Sequence, residues 1–81
     1  MKKEEKRLSG LSVGESACVS SLTTRGYARR RLFDLGICEG ADVECIGKSP
    51  FGDPLLFLVR GKMIAIRVDD ARQIAITGEK N

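Results

Sequence analysis

Apolar and polar residues alternate in steps of two along most of the chain. Within Ser16–Leu22, Ala17 and Val19 alternate with Cys18 and Ser20, and residues two apart share one face of a strand. Val43 and Cys45 interleave with Asp42 and Glu44 in the same way. Leu55, Phe57 and Val59 interleave with Leu56, Leu58 and Arg60, and Ile64, Ile66 and Val68 with Met63, Ala65 and Arg67. Each set reads as a strand with one inward face. The period changes between Thr23 and Gly40. Ala28, Leu32 and Leu35 lie at i, i+4 and i+7, so they share one face of a helix from about Gly26 to Leu35. Thr23 or Thr24 is placed to cap its start, and Gly36 to take the left-handed position after its end. Near the C-terminus, "DDARQ" suits a single helical turn, with Asp70 as cap and Gln73 three residues on as in a capping box. The short strand "IAIT" follows.

The connections are tight. Pro50 and Pro54 bracket Phe51-Gly52-Asp53; each proline fixes φ near −65° and Gly52 accepts a positive φ. Arg60-Gly61-Lys62 joins two strands in a hairpin in which Gly61 relieves strain. The order is therefore a strand, a helix, then about four strands with a short helical turn before the last. The chain is too short for two packed sheets. A mainly β fold of about five strands, curled into a small barrel filled by Leu55, Phe57 and Val59, removes exposed edges and fits the length. One domain over residues 8–77 is expected, with a flexible charged N-terminus over 1–7 and a flexible C-terminus over 78–81.

Composition narrows the chemistry. With 81 residues, 42% apolar and 31% charged, the chain reads as a globular domain that buries only ~60% of its unfolded surface. No apolar run approaches the ~20 residues that cross a bilayer, and the charged opening "MKKEEKRLSG" is unlike a secretory signal. The three cysteines Cys18, Cys38 and Cys45 are odd in number and lack C-x-x-C spacing, which fits a reducing cytoplasm. The chain has no histidine, which excludes histidine-based triads and metal sites. Cys18, Cys38 and Cys45 are the weak candidates for a thiolate metal site, and small core residues are the plainer reading. Gly47-Lys48-Ser49 echoes the end of a phosphate loop, but Asp42 stands where that loop needs glycine and Pro50 follows where it needs a helix. No residue stands out as catalytic and no cofactor is called for.

Fourteen basic against eleven acidic residues give a net charge of +3. Lys2, Lys3, Lys6 and Arg7 are mixed with Glu4 and Glu5, and Arg29, Arg30 and Arg31 fan around the helix at ~100° steps. Nucleic acid is therefore not the expected partner. As an alternative function, the barrel would bind it through Arg29, Arg30, Arg60, Lys62 and Arg67, with affinity falling steeply with salt. The outward residues Leu56 and Leu58 are more distinctive. They form an apolar patch of the kind that marks a partner surface, and Met63 extends it.

The ordered motifs resemble a known family. They are "RL..LG" (Arg31, Leu32, Leu35, Gly36), "G..V" (Gly40, Val43) and "P.GDP" (Pro50, Gly52, Asp53, Pro54), then "VRG" (Val59, Arg60, Gly61), "IAIR" (Ile64 to Arg67) and "A..I" (Ala71, Ile74). The opening "L..L..GE.A.V..L" is met by Leu8, Leu11, Gly14, Glu15, Ala17, Val19 and Leu22. In order and spacing they resemble the FeoA family, the small cytoplasmic component of bacterial ferrous iron uptake systems. The resemblance implies an SH3-like barrel with a helix inserted after the first strand, a cytoplasmic location and no enzymatic activity. It implies a partner, FeoB, the membrane transporter with a cytoplasmic GTPase domain, so the chain would meet the membrane only through that partner. Gly36, Gly40, Pro50, Gly52, Asp53, Pro54 and Gly61 then serve turns and caps. On this reading Leu56, Leu58 and Met63 anchor the partner, Arg60 and Lys62 orient an acidic partner surface, and a barrel edge is open to a partner strand. A similar domain ends the iron-dependent repressors, so a detached regulatory or metal-sensing module is a further alternative.

Overall fold

The computed structural model describes residues 6–77. Its elements are β1 (Lys6–Arg7), a 3₁₀ turn (Leu8–Gly10), β2 (Ser16–Leu22), α1 (Gly26–Asp34), β3 (Asp42–Lys48), β4 (Leu55–Val59), β5 (Lys62–Ile66), α2 (Val68–Ala71) and β6 (Ile74–Thr77). The strands form one antiparallel sheet in the order β1-β6-β2-β3-β4-β5. The fold is mainly β, with a helix after β2 and a helical turn before the last strand. There are six strands instead of about five because Lys6 and Arg7 pair with Ile76 and Ala75. The rest of the expected flexible ends, residues 1–5 and 78–81, lies outside the described residues.

Two irregularities curl the sheet. The β2–β6 register shifts between Val19 and Ser21, and the β3–β4 register between Cys45 and Gly47. An extra residue on one strand bends it and increases its twist, which wraps the sheet over its own inner face. Hydrogen bonds do not complete the expected closure: β1 and β5 are the two ends of the ladder.

Alternation fills the interior. Ala17, Val19, Val43, Cys45, Leu55, Phe57, Val59 and Ile66 are all buried, and Phe57 is 0% exposed. Leu8 and Leu11 from the 3₁₀ turn, Leu32 from α1 and Ile37 beyond it complete the cluster. Burial of a side chain such as Phe57 is worth ~1.5–3 kcal/mol.

The helix ends obey local chemistry only in part. At the C-terminus of α1, Gly36 has φ +98°, its N–H donates to Phe33 O, and the Ile37 N–H donates to Leu32 O, both at 2.9 Å. These paired bonds, with Leu32 and Ile37 buried together, form a Schellman ending. At its N-terminus neither Thr23 nor Thr24 caps the helix. The residue before the first turn is Arg25, which makes no side-chain cap bond. Thr23 is instead drawn to the end of β6, where its N–H and its hydroxyl both donate to Gln73 O, and Thr24 is buried. The expected Asp70–Gln73 capping box is also absent. Asp70 lies inside α2, and the helix start is satisfied from a distant turn, where Asp53 Oδ1 accepts the Val68 N–H at 3.1 Å. A tertiary contact wins over the local motif.

Candidate docking surface

The outer wall of β3, β4 and β5 carries the residues singled out by alternation. Leu58 lies opposite Glu44 on β3 and Met63 on β5, and Glu44 lies opposite Ser16 on β2. Residues opposite each other across a ladder project to the same side, so Ser16, Glu44, Leu58 and Met63 form one row. The next row holds Gly47, Leu56 and Ala65. Met63 is 64% exposed and Leu58 36%. Leu56 is half-buried, because it leans over Gly47: a Cβ there would sit 3.5 Å from Leu56 Cδ1. The glycine gives this leucine a place to lie flat.

Of the five expected partner-binding residues, Lys62 projects from the opposite side of β5 to the others. Leu56, Leu58 and Met63 are neighbours on the outer face. Arg60 occupies the first position of the β4–β5 turn with φ +54°, followed by Gly61 at +81°. Two positive φ values in a two-residue loop match the twist of the flanking strands. The Arg60 side chain reaches back to α1, where a Cβ on Gly36 would lie 3.5 Å from Arg60 Cδ. Lys62 pairs with Val59 and therefore shares the inner face, on the opposite side of β5 from Met63. It is exposed because the barrel ends there. Beside Leu58 lies an open depression of about 400 Å³ lined by Asp42, Glu44, Arg60 and Ser16 among others. Its charges are mixed, so the depression offers hydrogen-bonding groups of both signs around an apolar wall.

The remaining singled-out residues are structural in placement. Gly40 has φ +89° and is the third residue of a turn closed by the Ala41 N–H donating to Cys38 O. Pro50 and Gly52 sit in a turn closed by the Gly52 N–H donating to Ser49 O at 2.8 Å, and the Asp53–Pro54 bond is cis. Cys45 is buried on β3, opposite Phe57 of β4, while Cys18 and Cys38 are half-buried. Among the described residues no group of three or more cysteines and carboxylates is placed to hold a metal ion. Nor is any described helix long and apolar enough to cross a membrane.

Alternation missed the exposed side of α1. Of the face Ala28, Leu32 and Leu35, only Leu32 is covered; Ala28 is exposed and Leu35 is 39% exposed. Tyr27 and Phe33 are exposed on the same helix, and Phe51 at the tip of the Pro50–Pro54 turn is 96% exposed. Phe51 lies between a proline and a glycine at the tip of a tight turn, where side chains usually face solvent, so this signal was available in the sequence. That of the helix was not, since spacing defines a face without saying what covers it.

Comparison with known proteins gives the arrangement a context. The family model described as "FeoA domain" matches residues 6–77. A Porphyromonas gingivalis protein named as an Fe(2+) transport protein A/Fe(2+) transporter FeoB fusion is 27% identical over 70 residues. That match takes in 86% of this chain and only 8% of the relative. The solution structure of a FeoA protein from Chlorobium tepidum superposes with a TM-score of 0.83 at 34% identity, covering 88% of this chain and 68% of the other. The crystal structure of Stenotrophomonas maltophilia FeoA, described as a procaryotic SH3 domain protein and complexed with zinc, gives 0.77 at 32% identity and covers 89% of each chain. The curled sheet with its inserted helix is thus an SH3-like fold, and the chain belongs to the FeoA family, whose relatives are named for ferrous iron transport.

Proposed function

We propose that this chain is a non-enzymatic accessory protein of ferrous iron uptake that binds and modulates the cytoplasmic part of a FeoB-type transporter through protein–protein contact. The observation that carries the reading is the Porphyromonas gingivalis relative, in which a segment similar to this chain is joined to a FeoB transporter. Joining two parts in one chain raises their effective concentration for each other, which serves parts that must touch. The surface supports this: Leu58 and Met63 are exposed apolar neighbours beside a charged depression, an arrangement of apolar anchor and polar rim.

Titration of the transporter's cytoplasmic domain with the wild-type chain and with the Leu56→Asp/Leu58→Asp variant tests it. Binding by the wild type and its loss in a variant that keeps its circular dichroism are expected. Leu58→Asp alone guards against loss of fold, since Leu56 is half-buried. A folded double variant that binds unchanged overturns the patch, and a wild type that does not bind overturns the function.

A further inference from the structure

The two ends of the sheet are protected unequally. β1 is two basic residues long, whereas β5 runs for five and carries Met63-Ile64-Ala65 at its centre. Short charged edges resist pairing with other chains, and longer apolar ones invite it. The register shows which groups are available. The two-residue turn makes Val59 and Lys62 a hydrogen-bonded pair, and bonded pairs recur at Phe57–Ile64 and Leu55–Ile66. Met63 and Ala65 therefore turn their N–H and C=O groups away from β4. Among the described residues nothing pairs with them.

A groove runs beside this edge. α1 begins near Gln73, to which Thr23 donates, and ends where Gly36 meets Val59; the helix thus passes along β5. Ala28 and Leu35 stand across from Ala65 over a cavity of about 90 Å³ whose floor is Leu32 and Ile66. This is the helical face that the fold leaves uncovered. Its charge selects an occupant. Arg31 and Arg67 line the groove against a single acid, Asp70, and Lys62 stands at the far end of the edge.

We infer that the free edge of β5 and the adjoining α1 groove receive an extended, acidic segment of the partner as a seventh strand. The inference rests on the docking reading above and names its mode. Main-chain bonds to Met63 and Ala65 supply affinity, and side-chain pockets supply selectivity. The guest residue opposite Ile64 points inward, so it is aliphatic and enters the cavity over Leu32 and Ile66. Acidic residues beside it meet Arg31 and Arg67. A second copy of this chain fits poorly, because its β5 carries no acidic residue to meet Arg31 and Arg67.

Amide hydrogen exchange of the isotope-labelled chain, alone and with the transporter's unlabelled cytoplasmic domain, tests this. Exchange at Met63 and Ala65 slows on binding, while Ile64, already bonded to β4, changes little. Ala65→Pro removes an outward N–H without touching the β4 ladder and weakens binding by about tenfold, whereas Ala65→Val keeps the N–H and the affinity. If Ala65→Pro does not fold, exchange in the unaltered chain decides. Binding that leaves both amides exchanging freely overturns this inference and spares the docking reading; no binding at all overturns both. Protection that grows with the chain's own concentration, without the transporter domain, assigns the edge to a second copy and also overturns it.

Discussion

Replacing Gly36 with alanine tests the junction between α1 and the barrel. Gly36 holds φ +98° and closes the helix. A side chain in a left-handed conformation costs ~1–3 kcal/mol, offset by ~0.4–1 kcal/mol because alanine restricts the unfolded chain. A second cost is steric. The new Cβ would lie 3.2 Å from Cγ1 of Val59, and Val59 is 1% exposed and cannot swing aside. Crowding a packed core costs ~1–3 kcal/mol, so about 3 kcal/mol in all is expected, roughly 12–24 °C of Tm for a domain this size. Two controls separate the causes. Gly40 has φ +89° and an added Cβ would meet no atom within 4 Å, so Gly40→Ala carries the backbone cost alone, ~1 kcal/mol. Gly10 has open space and no positive φ, and Gly10→Ala is neutral or slightly stabilising. Urea unfolding followed by circular dichroism ranks the three. Equal losses at Gly36 and Gly40 refute the Val59 contact, and a Gly36 variant as stable as the Gly10 one refutes the left-handed helix ending.

Phe57→Ala removes the largest fully buried side chain, a loss of ~3–5 kcal/mol that leaves little of a small domain's stability in a thermal melt. Asp53→Ala takes the acceptor from the Val68 N–H and costs ~0.5–2 kcal/mol by the same unfolding assay, while Asp53→Asn keeps most of it. Cys18 and Cys38 react with a thiol reagent in the native protein and buried Cys45 reacts only on unfolding; three fast thiols would contradict the burial of Cys45.

The barrel was legible because burial imposes a period. Ala17, Val19, Val43, Cys45, Leu55, Phe57 and Val59 alternate with outward neighbours, and each inward residue is buried. Caps were less legible, because a capping residue competes with distant partners: Thr23 turned to Gln73, and Asp53 reached α2 across 15 positions. The leucine wall was visible as a surplus of apolar residues on an outward face, and alternation alone already sets Lys62 on the other side of the strand from its neighbour Met63, as the register bears out. The α1 groove was hidden for a related reason. Ala28 and Leu35 look like core until the sheet's order shows that β5 has no neighbour beyond it.

Chemical-shift mapping of the isotope-labelled chain against the transporter's cytoplasmic domain tests the docking role most directly. Perturbed amides are expected on the outer wall and edge of β4 and β5 and along α1, from Ala28 to Leu35. Perturbations confined to β1, β2 and β6, or a spectrum unmoved at saturating domain, would contradict it.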